Sequence, residues 1–268
     1  MTLDLSNCRF AFLDLETTGL SPWFGDRICE VGIVLTEGKR IKATYQQLVN
    51  PERPLSPAAA STNGLNDVDL QDAPLFAEIA PDVAARLGGA VIVCHNARFD
   101  LQFLDSEFRR LGAEIVAPNL IDTLLVAREH FDFPSYTLAI LAEEFHIVNP
   151  DAHRALADAI TMKGVFFSMM DALKPTGRSL EDFIGLYNSP AWPNDGIQLP
   201  TSLGEAIYAG RRLNLTYVDR GGKRTTRLVT PIQVMGLSDY IYLRAYCHLR
   251  KEERTFRLDR IVEFSLES

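Results

Sequence analysis

Residues 9–15 read Arg-Phe-Ala-Phe-Leu-Asp-Leu, an apolar run broken by one acid, and Glu16-Thr17-Thr18-Gly19 closes it. A run of this length followed by a turn predicts a buried β-strand. Side chains two apart on a strand share a face, so Asp14 and Glu16 project together from its end. Two carboxylates on one face repel each other unless a cation lies between them. An oxygen-only donor pair suits a hard divalent cation such as Mg²⁺ or Mn²⁺. The same residues also fit an exposed strand end with two solvated acids, and the pair alone leaves both readings open.

The segments that follow set the fold class. Ile28–Leu35 and Ile41–Val49 read as strands joined by a hairpin turn at Glu37-Gly38, which predicts an antiparallel meander with the first strand. The period then changes. Leu75–Leu87 carries Phe76, Ile79, Val83 and Leu87 at helical spacing, and Val91–Cys94 is a short strand after Gly88-Gly89. Ala97–Leu111 reads as a helix with Phe99, Phe103, Leu104, Phe108 and Leu111 on one face. Asn119–Asp122 is a strand leading into a helix to about His130, and further helices span Leu138–Phe145 and Ala155–Leu173. Strands first and βα alternation afterwards predict an α/β domain with a mixed sheet over residues 1–173.

Residues 174–202 contain Pro175, Pro190, Pro193 and Pro200, a linker composition. Leu180, Phe183, Ile184, Leu186, Tyr187 and Trp192 in the same stretch suggest that it packs on something. From residue 203 a second domain is expected, with a short helix at Glu205–Gly210. Strands should follow at Leu213–Val218, Thr226–Val234, Tyr240–Cys247 and Glu253–Leu258, with a hairpin at Asp219–Gly222.

Charge divides along the same line. Residues 1–199 carry 15 Lys+Arg and 27 Asp+Glu, net −12, whereas residues 200–268 carry 12 and 8, net +4. An acidic part can host metal and a basic part can attract phosphate, although two differently charged soluble surfaces give the same asymmetry. No apolar run approaches the ~18 residues of a membrane span. Met1–Asn7 has neither the basic nor the apolar region of a signal peptide. Cys8, Cys29, Cys94 and Cys247 form no Cys-x-x-Cys pair, so reduced thiols and a cytoplasmic location are expected.

Two further clusters carry potential chemistry. His95-Asn96-Ala97-Arg98-Phe99-Asp100 lies where a strand ends and a helix begins, which puts Asp100 in the first helical turn. A carboxylate there is stabilised by the helix dipole whether or not it has another role. His153-Arg154-Ala155-Leu156-Ala157-Asp158 follows the helix-breaking Asn149-Pro150-Asp151. Five helical residues turn through about 140°. His153 is therefore expected on the loop before the helix and Asp158 inside it.

These three clusters, in this order, resemble the DEDDh family of 3′→5′ exonucleases, the group that includes the proofreading subunit of bacterial replicative polymerases. The resemblance covers about residues 8–172. Val49-Asn50-Pro51, Thr62-Asn63-Gly64-Leu65-Asn66-Asp67, Ile121-Asp122-Thr123 and Ser135-Tyr136-Thr137-Leu138 also fall where the family has similar segments. Asn63 departs from the His that many relatives carry. The resemblance implies an RNase H-like mixed five-stranded sheet flanked by helices, and two divalent metal ions, Mg²⁺ or Mn²⁺. It implies that Asp14 bridges the ions, that Glu16 and Asp158 complete the first site and that Asp100 supports the second. His153 would be the general base toward the attacking water, a task suited to imidazole near neutral pH. Thr17, Gly64, Leu65 and Asn96 would hold the terminal nucleotide, and nucleoside 5′-monophosphates would be released. Single-stranded DNA or RNA 3′ ends are the expected partners, DNA before RNA, with no membrane. No residue pair clearly reads a 2′-hydroxyl.

Tyr240-Ile241-Tyr242-Leu243-Arg244-Ala245-Tyr246-Cys247 and Arg254-Thr255-Phe256-Arg257-Leu258-Asp259-Arg260-Ile261, with Ala206-Ile207, Tyr217 and Pro231 upstream, resemble a WYL domain over about residues 200–266. Ile241 stands where that family has its Trp. The resemblance implies a small Sm/SH3-like β-barrel that senses a ligand or nucleic acid. Tyr217, Tyr242, Arg254, Arg257 and Arg260 are its candidate contacts, since arginine forks match phosphate and tyrosine rings stack on bases. Arg254 and Arg260 share a strand face and Arg257 does not, so a bend or strand end is needed to gather them. A solvated basic rim fits the same residues. The competing reading of the whole chain is a non-catalytic nucleic-acid or nucleotide sensor on a nuclease fold. The intact acids and His153 weigh against it, as does the lack of a recognisable helix-turn-helix. A polymerase proofreading subunit would need a polymerase-binding tail where this chain has a β domain.

Overall fold

The computed structural model describes residues 5, 7–19, 22, 25–113, 119–149, 153–174, 179–185, 211–219, 222–237 and 240–267. They divide into two compact units, the larger within residues 1–19 and 27–190 and the smaller within residues 20–26 and 191–268.

In the larger unit β1 (Arg9–Thr17), β2 (Ile28–Glu37) and β3 (Arg40–Leu48) form the antiparallel meander. Three helices follow: α1 (Pro57–Asn63), α2 (Asp67–Gln71) and α3 (Phe76–Leu87). Then come β4 (Val91–Cys94), α4 (Ala97–Arg110), β5 (Leu120–Asp122), α5 (Thr123–His130), α6 (Leu138–Glu144) and α7 (Ala155–Leu173). β4 pairs in parallel with β1, and β5 in parallel with β4. The sheet order is β3-β2-β1-β4-β5, mixed and five-stranded, with β1 at its centre.

The period-2 alternation of β1 divides the cores. Ala11, Leu13 and Leu15 enter one core with side chains of α3 and α4. Phe10 and Phe12 enter the other, against α7. There Phe10, Phe12, Phe166 and Phe167 pack with ring centroids between 5.1 and 6.0 Å. Such aromatic pairs have preferred geometry, so the cluster fixes the roll of α7 on the sheet. The row Phe10, Phe12 continues into Asp14 and Glu16, which places both acids on the α7 side.

α1 and α2 are absent from the sequence expectation. Both are too short to show a periodic apolar stripe, and their signals are caps. The Ser56 hydroxyl accepts from the Ala59 N–H, and Asn66 and Asp69 form a reciprocal capping box. Residues 179–185 pack on this unit as well. Phe183 is buried in the α7 core, and Gly185 exchanges backbone hydrogen bonds with Leu120 at the edge strand. Residues 175–178 and 186–210, including the prolines of the expected linker and the expected helix at 205–210, lie outside the described residues.

The smaller unit is an antiparallel sheet of β6 (Leu213–Val218), β7 (Arg224–Leu237), β8 (Tyr240–Cys247), β9 (Glu252–Arg257) and β10 (Ile261–Leu266), in the order β10-β6-β7-β8-β9. Asp219 accepts from the Gly222 and Lys223 N–H groups in the first hairpin. Leu213, Leu215, Val229, Leu243, Ala245, Cys247 and Phe256 form its core. β10 is an element that the sequence reading lacks, because only Ile261, Phe264 and Leu266 of it approach that core. Among the described residues β9 and β10 are the two edges, and no pairing between them closes the sheet. Also among the described residues, no helix is long and apolar enough to cross a membrane, and no disulfide joins Cys8, Cys29, Cys94 or Cys247.

Candidate metal and catalytic site

The site forms where β1 leaves the aromatic core. Asp14 and Glu16 project from its last residues, and Asp158 projects from the first turn of α7. One carboxylate oxygen from each lies within 4.8 Å of the others, and all three side chains are half-buried. Asp100, in the first turn of α4, is buried and accepts the Leu15 N–H at 3.1 Å. That bond ties α4 to the backbone between Asp14 and Glu16.

The carboxyls of the cluster repel one another. Burial, then the charges of Asp100, Asp158, Glu16 and Glu30, push the Asp14 carboxyl well above its ordinary value. Burial and the same kind of repulsion lift Glu16 to about 8, against a smaller opposing effect of Arg154. Asp100 is raised by burial and by Asp122, opposed by the Leu15 N–H. Asp158 is raised by burial, opposed by donors from Asn149 and His153. Closely held carboxylates with no cation among them repel in this way, and a hard divalent cation relieves it. The all-oxygen donor set therefore fits Mg²⁺ or Mn²⁺.

His153 is exposed and adopts a left-handed backbone with φ 67°, uncommon for a residue with a Cβ. Its N–H donates to Asp158 Oδ2 at 3.0 Å, and Asn149 Nδ2 donates to Asp158 Oδ1 at 2.6 Å. His153 thus precedes α7 and Asp158 lies inside it, brought together by a backbone bond. Asn149 is a site residue that sequence reasoning treated only as a helix breaker.

The candidate nucleotide contacts fall at the same end of the sheet. Thr17 is buried and donates to the Gly19 carbonyl at 2.6 Å. The Ser56 N–H donates to the Thr18 carbonyl, which brings the start of α1 beside β1. Gly64 ends α1 with φ 67°, a conformation that favours glycine. Asn63 Oδ1 accepts the Leu65 N–H at 3.1 Å, and Asn63 Nδ2 donates to Cys29 Sγ on β2 at 3.8 Å. Leu65 itself is buried. Asn96 is exposed at the start of α4, in the left-handed region with φ 67°. Asp122 stabilises that turn by accepting from the Asn96, Ala97 and Leu124 N–H groups at 2.9 to 3.0 Å. His95 is structural: its ring bonds Thr123 Oγ1 and the Tyr136 carbonyl, both at 2.9 Å, and burial lowers its pKa.

In the smaller unit Tyr242 and Arg257 face each other across β8 and β9. Tyr217 packs on the core and edge-on to Phe256 at 5.3 Å. Arg254 is exposed and bonded to Glu252 at 2.9 Å. Arg254 and Arg257 lie on opposite faces of β9, and a 3-10 turn over Leu258–Arg260 follows, with Arg260 at its end.

Known proteins match both parts. The exonuclease family model matches residues 11–166, and the WYL domain model matches residues 199–266. A DNA polymerase III of PolC type from Caldanaerobacter subterraneus is 37% identical over 170 residues, covering 63% of this chain. The match spans only 12% of that relative's own length. The DNA polymerase III subunit epsilon of Rickettsia typhi is 32% identical over 184 residues, covering 66% of this chain and 80% of the relative. The nuclease domain of a 3′ exonuclease, a DEDDh family member solved with rAMP, superposes with TM-score 0.57 at 18% identity, over 69% of this chain and 99% of that one. The fold is therefore the RNase H-like exonuclease fold. The chain belongs to the exonuclease family and carries a WYL domain behind the nuclease fold.

Proposed function

We propose that the protein is a metal-dependent 3′→5′ exonuclease that removes nucleoside 5′-monophosphates from single-stranded nucleic acid, DNA before RNA. The observation that carries this reading is the convergence of Asp14, Glu16 and Asp158 oxygens within 4.8 Å. Asp14, Glu16, Asp158 and Asp100 would hold two divalent cations, Mg²⁺ or Mn²⁺. Bound there, such ions lower the pKa of water and offset charge on a phosphodiester. His153, exposed and bonded through its N–H to Asp158, takes the proton from the attacking water. Thr17, Gly64, Leu65 and Asn96 hold the terminal nucleotide. Its polymerase III relatives support DNA as the first substrate.

Residues 1–173 are read as the nuclease domain, 174–202 as the connection and 203–268 as the WYL-like domain of Sm/SH3-like type, with a cytoplasmic location. The smaller domain binds nucleic acid through Tyr217, Tyr242, Arg254, Arg257 and Arg260. The facing pair Tyr242–Arg257 offers a ring and a guanidinium to one nucleotide. Chromatography of products from single-stranded DNA incubated with Mn²⁺ tests the reaction. Nucleoside 5′-monophosphates support it; 3′-monophosphates, or oligonucleotides without mononucleotides, contradict it. Phosphate contacts by the smaller domain make binding steeply salt-dependent. R254A/R257A/R260A should flatten that slope, and an unchanged slope removes the WYL role.

A further inference from the structure

Three consecutive residues, His153, Arg154 and Ala155, are fixed by two carboxylates from different elements. The His153 N–H is taken by Asp158. The Arg154 guanidinium forms a fork on Glu30 of β2, Nε to Oε2 at 3.1 Å and Nη2 to Oε1 at 2.8 Å. The Ala155 N–H also donates to Glu30 Oε2 at 3.2 Å. Glu30 is fully buried and receives a further bond from Gln46 Nε2 at 2.7 Å.

This arrangement is unusual for a helix start. The first N–H groups of a helix have no partner within it and are ordinarily served by a side chain just upstream. α7 has no such side-chain cap, since Arg154 occupies the position. The acceptor comes instead from a strand 125 residues away in sequence. Glu30 pairs directly across the sheet with Glu16. The strand neighbour of one candidate metal ligand therefore sets the start of the helix that carries another.

We propose that Glu30 and Arg154 are positioning residues that hold the His153 turn in register with the Asp14–Glu16 strand end. The inference rests on the exonuclease reading for what His153 does, but the clamp itself is a property of the fold. A left-handed residue with a Cβ is strained and persists only where its surroundings over-determine it. Here the bond to Asp158 fixes His153 on its own N–H, and the fork fixes the residue that follows. Lysine at 154 would keep the charge and lose the two-pronged match. The imidazole would then drift from the cluster, and misplacement by about 1 Å is worth about 10²-fold in rate.

The test uses the full-length chain with Mn²⁺ and 5′-labelled single-stranded DNA. It compares wild type, R154K, E30Q, H153A and R154K/H153A. R154K should melt close to wild type, lose about 10²-fold in kcat and keep KM. In the H153A background R154K should change the residual rate by no more than about twofold, because it acts through His153. Amide hydrogen exchange should show the His153 N–H opening about tenfold faster in R154K and in E30Q. Unchanged exchange and unchanged kcat in R154K would overturn the proposal. So would a full R154K penalty in the H153A background, which would mean that the fork acts elsewhere. If wild type cleaves nothing, the exonuclease reading fails, while the exchange measurement still decides whether the fork holds the turn.

Discussion

Gly32 on β2 lies directly beneath Ala155 at the start of α7. A Cβ on Gly32 would stand 2.2 Å from the Ala155 carbonyl carbon and 2.4 Å from the Leu156 nitrogen. Both are backbone atoms, so no rotamer relieves the overlap. G32A must push the helix start away from the sheet and carry Asp158 and His153 with it. Overpacking of this kind costs about 1–3 kcal/mol. A lowered urea midpoint with loss of nuclease activity is the expected result. An unchanged midpoint would show that α7 does not depend on this contact.

The Glu30 clamp gives a pH dependence of known sign. Burial pushes its carboxyl up, but donors from Arg154, Gln46 and the Ala155 N–H outweigh that and hold it below its ordinary value. A lowered carboxyl contributes stability above its unfolded pKa and loses it as pH falls through the folded value. The stability gap between wild type and E30Q should therefore be widest at neutral pH and shrink below about pH 4. Urea titrations of both proteins across that range check it. A gap that widens on acidification would reverse the sign.

The acidic cluster behaves in the opposite sense. Asp14 and Glu16 are raised, Glu16 to about 8, so without a cation the folded state loses stability as pH climbs from the ordinary carboxylate range to that value. A divalent cation competes with protons for these oxygens. Mn²⁺ should raise the melting temperature more at pH 8 than at pH 6. At 100 times its dissociation constant a ligand adds about 2.7 kcal/mol. D14N should abolish most of that gain. Equal Mn²⁺ stabilisation of wild type and D14N would place the cation elsewhere.

His153 is exposed, and among the described residues it bonds the turn through its N–H. H153A retains that N–H, so its melting temperature should stay near wild type. Losing a general base costs about 10²–10⁴-fold in rate. Rates and Mn²⁺ titrations on the same preparation separate the two effects. A fall in Mn²⁺ affinity matching the fall in rate would make His153 a ligand rather than a base.

Local patterns carried much of this architecture. The alternation along β1 announces which face holds Phe10 and Phe12, and that face leads to Asp14 and Glu16. The break at Asn149 announces that His153 precedes α7. What escaped depends on distance in the chain or on brevity. Arg154 and Glu30 are 124 residues apart, and nothing local to either shows that one buries itself on the other. Asn149 meets Asp158 across nine positions of sequence, a contact that no local pattern shows. α1 and α2 are visible only as caps at Ser56 and Asn66. β10 does not alternate cleanly, because a register shift between Ile261 and Glu263 interrupts it.

The most direct test is a time course on 5′-labelled single-stranded DNA and RNA with Mg²⁺, Mn²⁺ or EDTA, run beside D14N. The account predicts a ladder shortening from the 3′ end, faster on DNA, abolished by EDTA and by D14N. Intact substrate with both metals, or shortening that survives D14N, would contradict it.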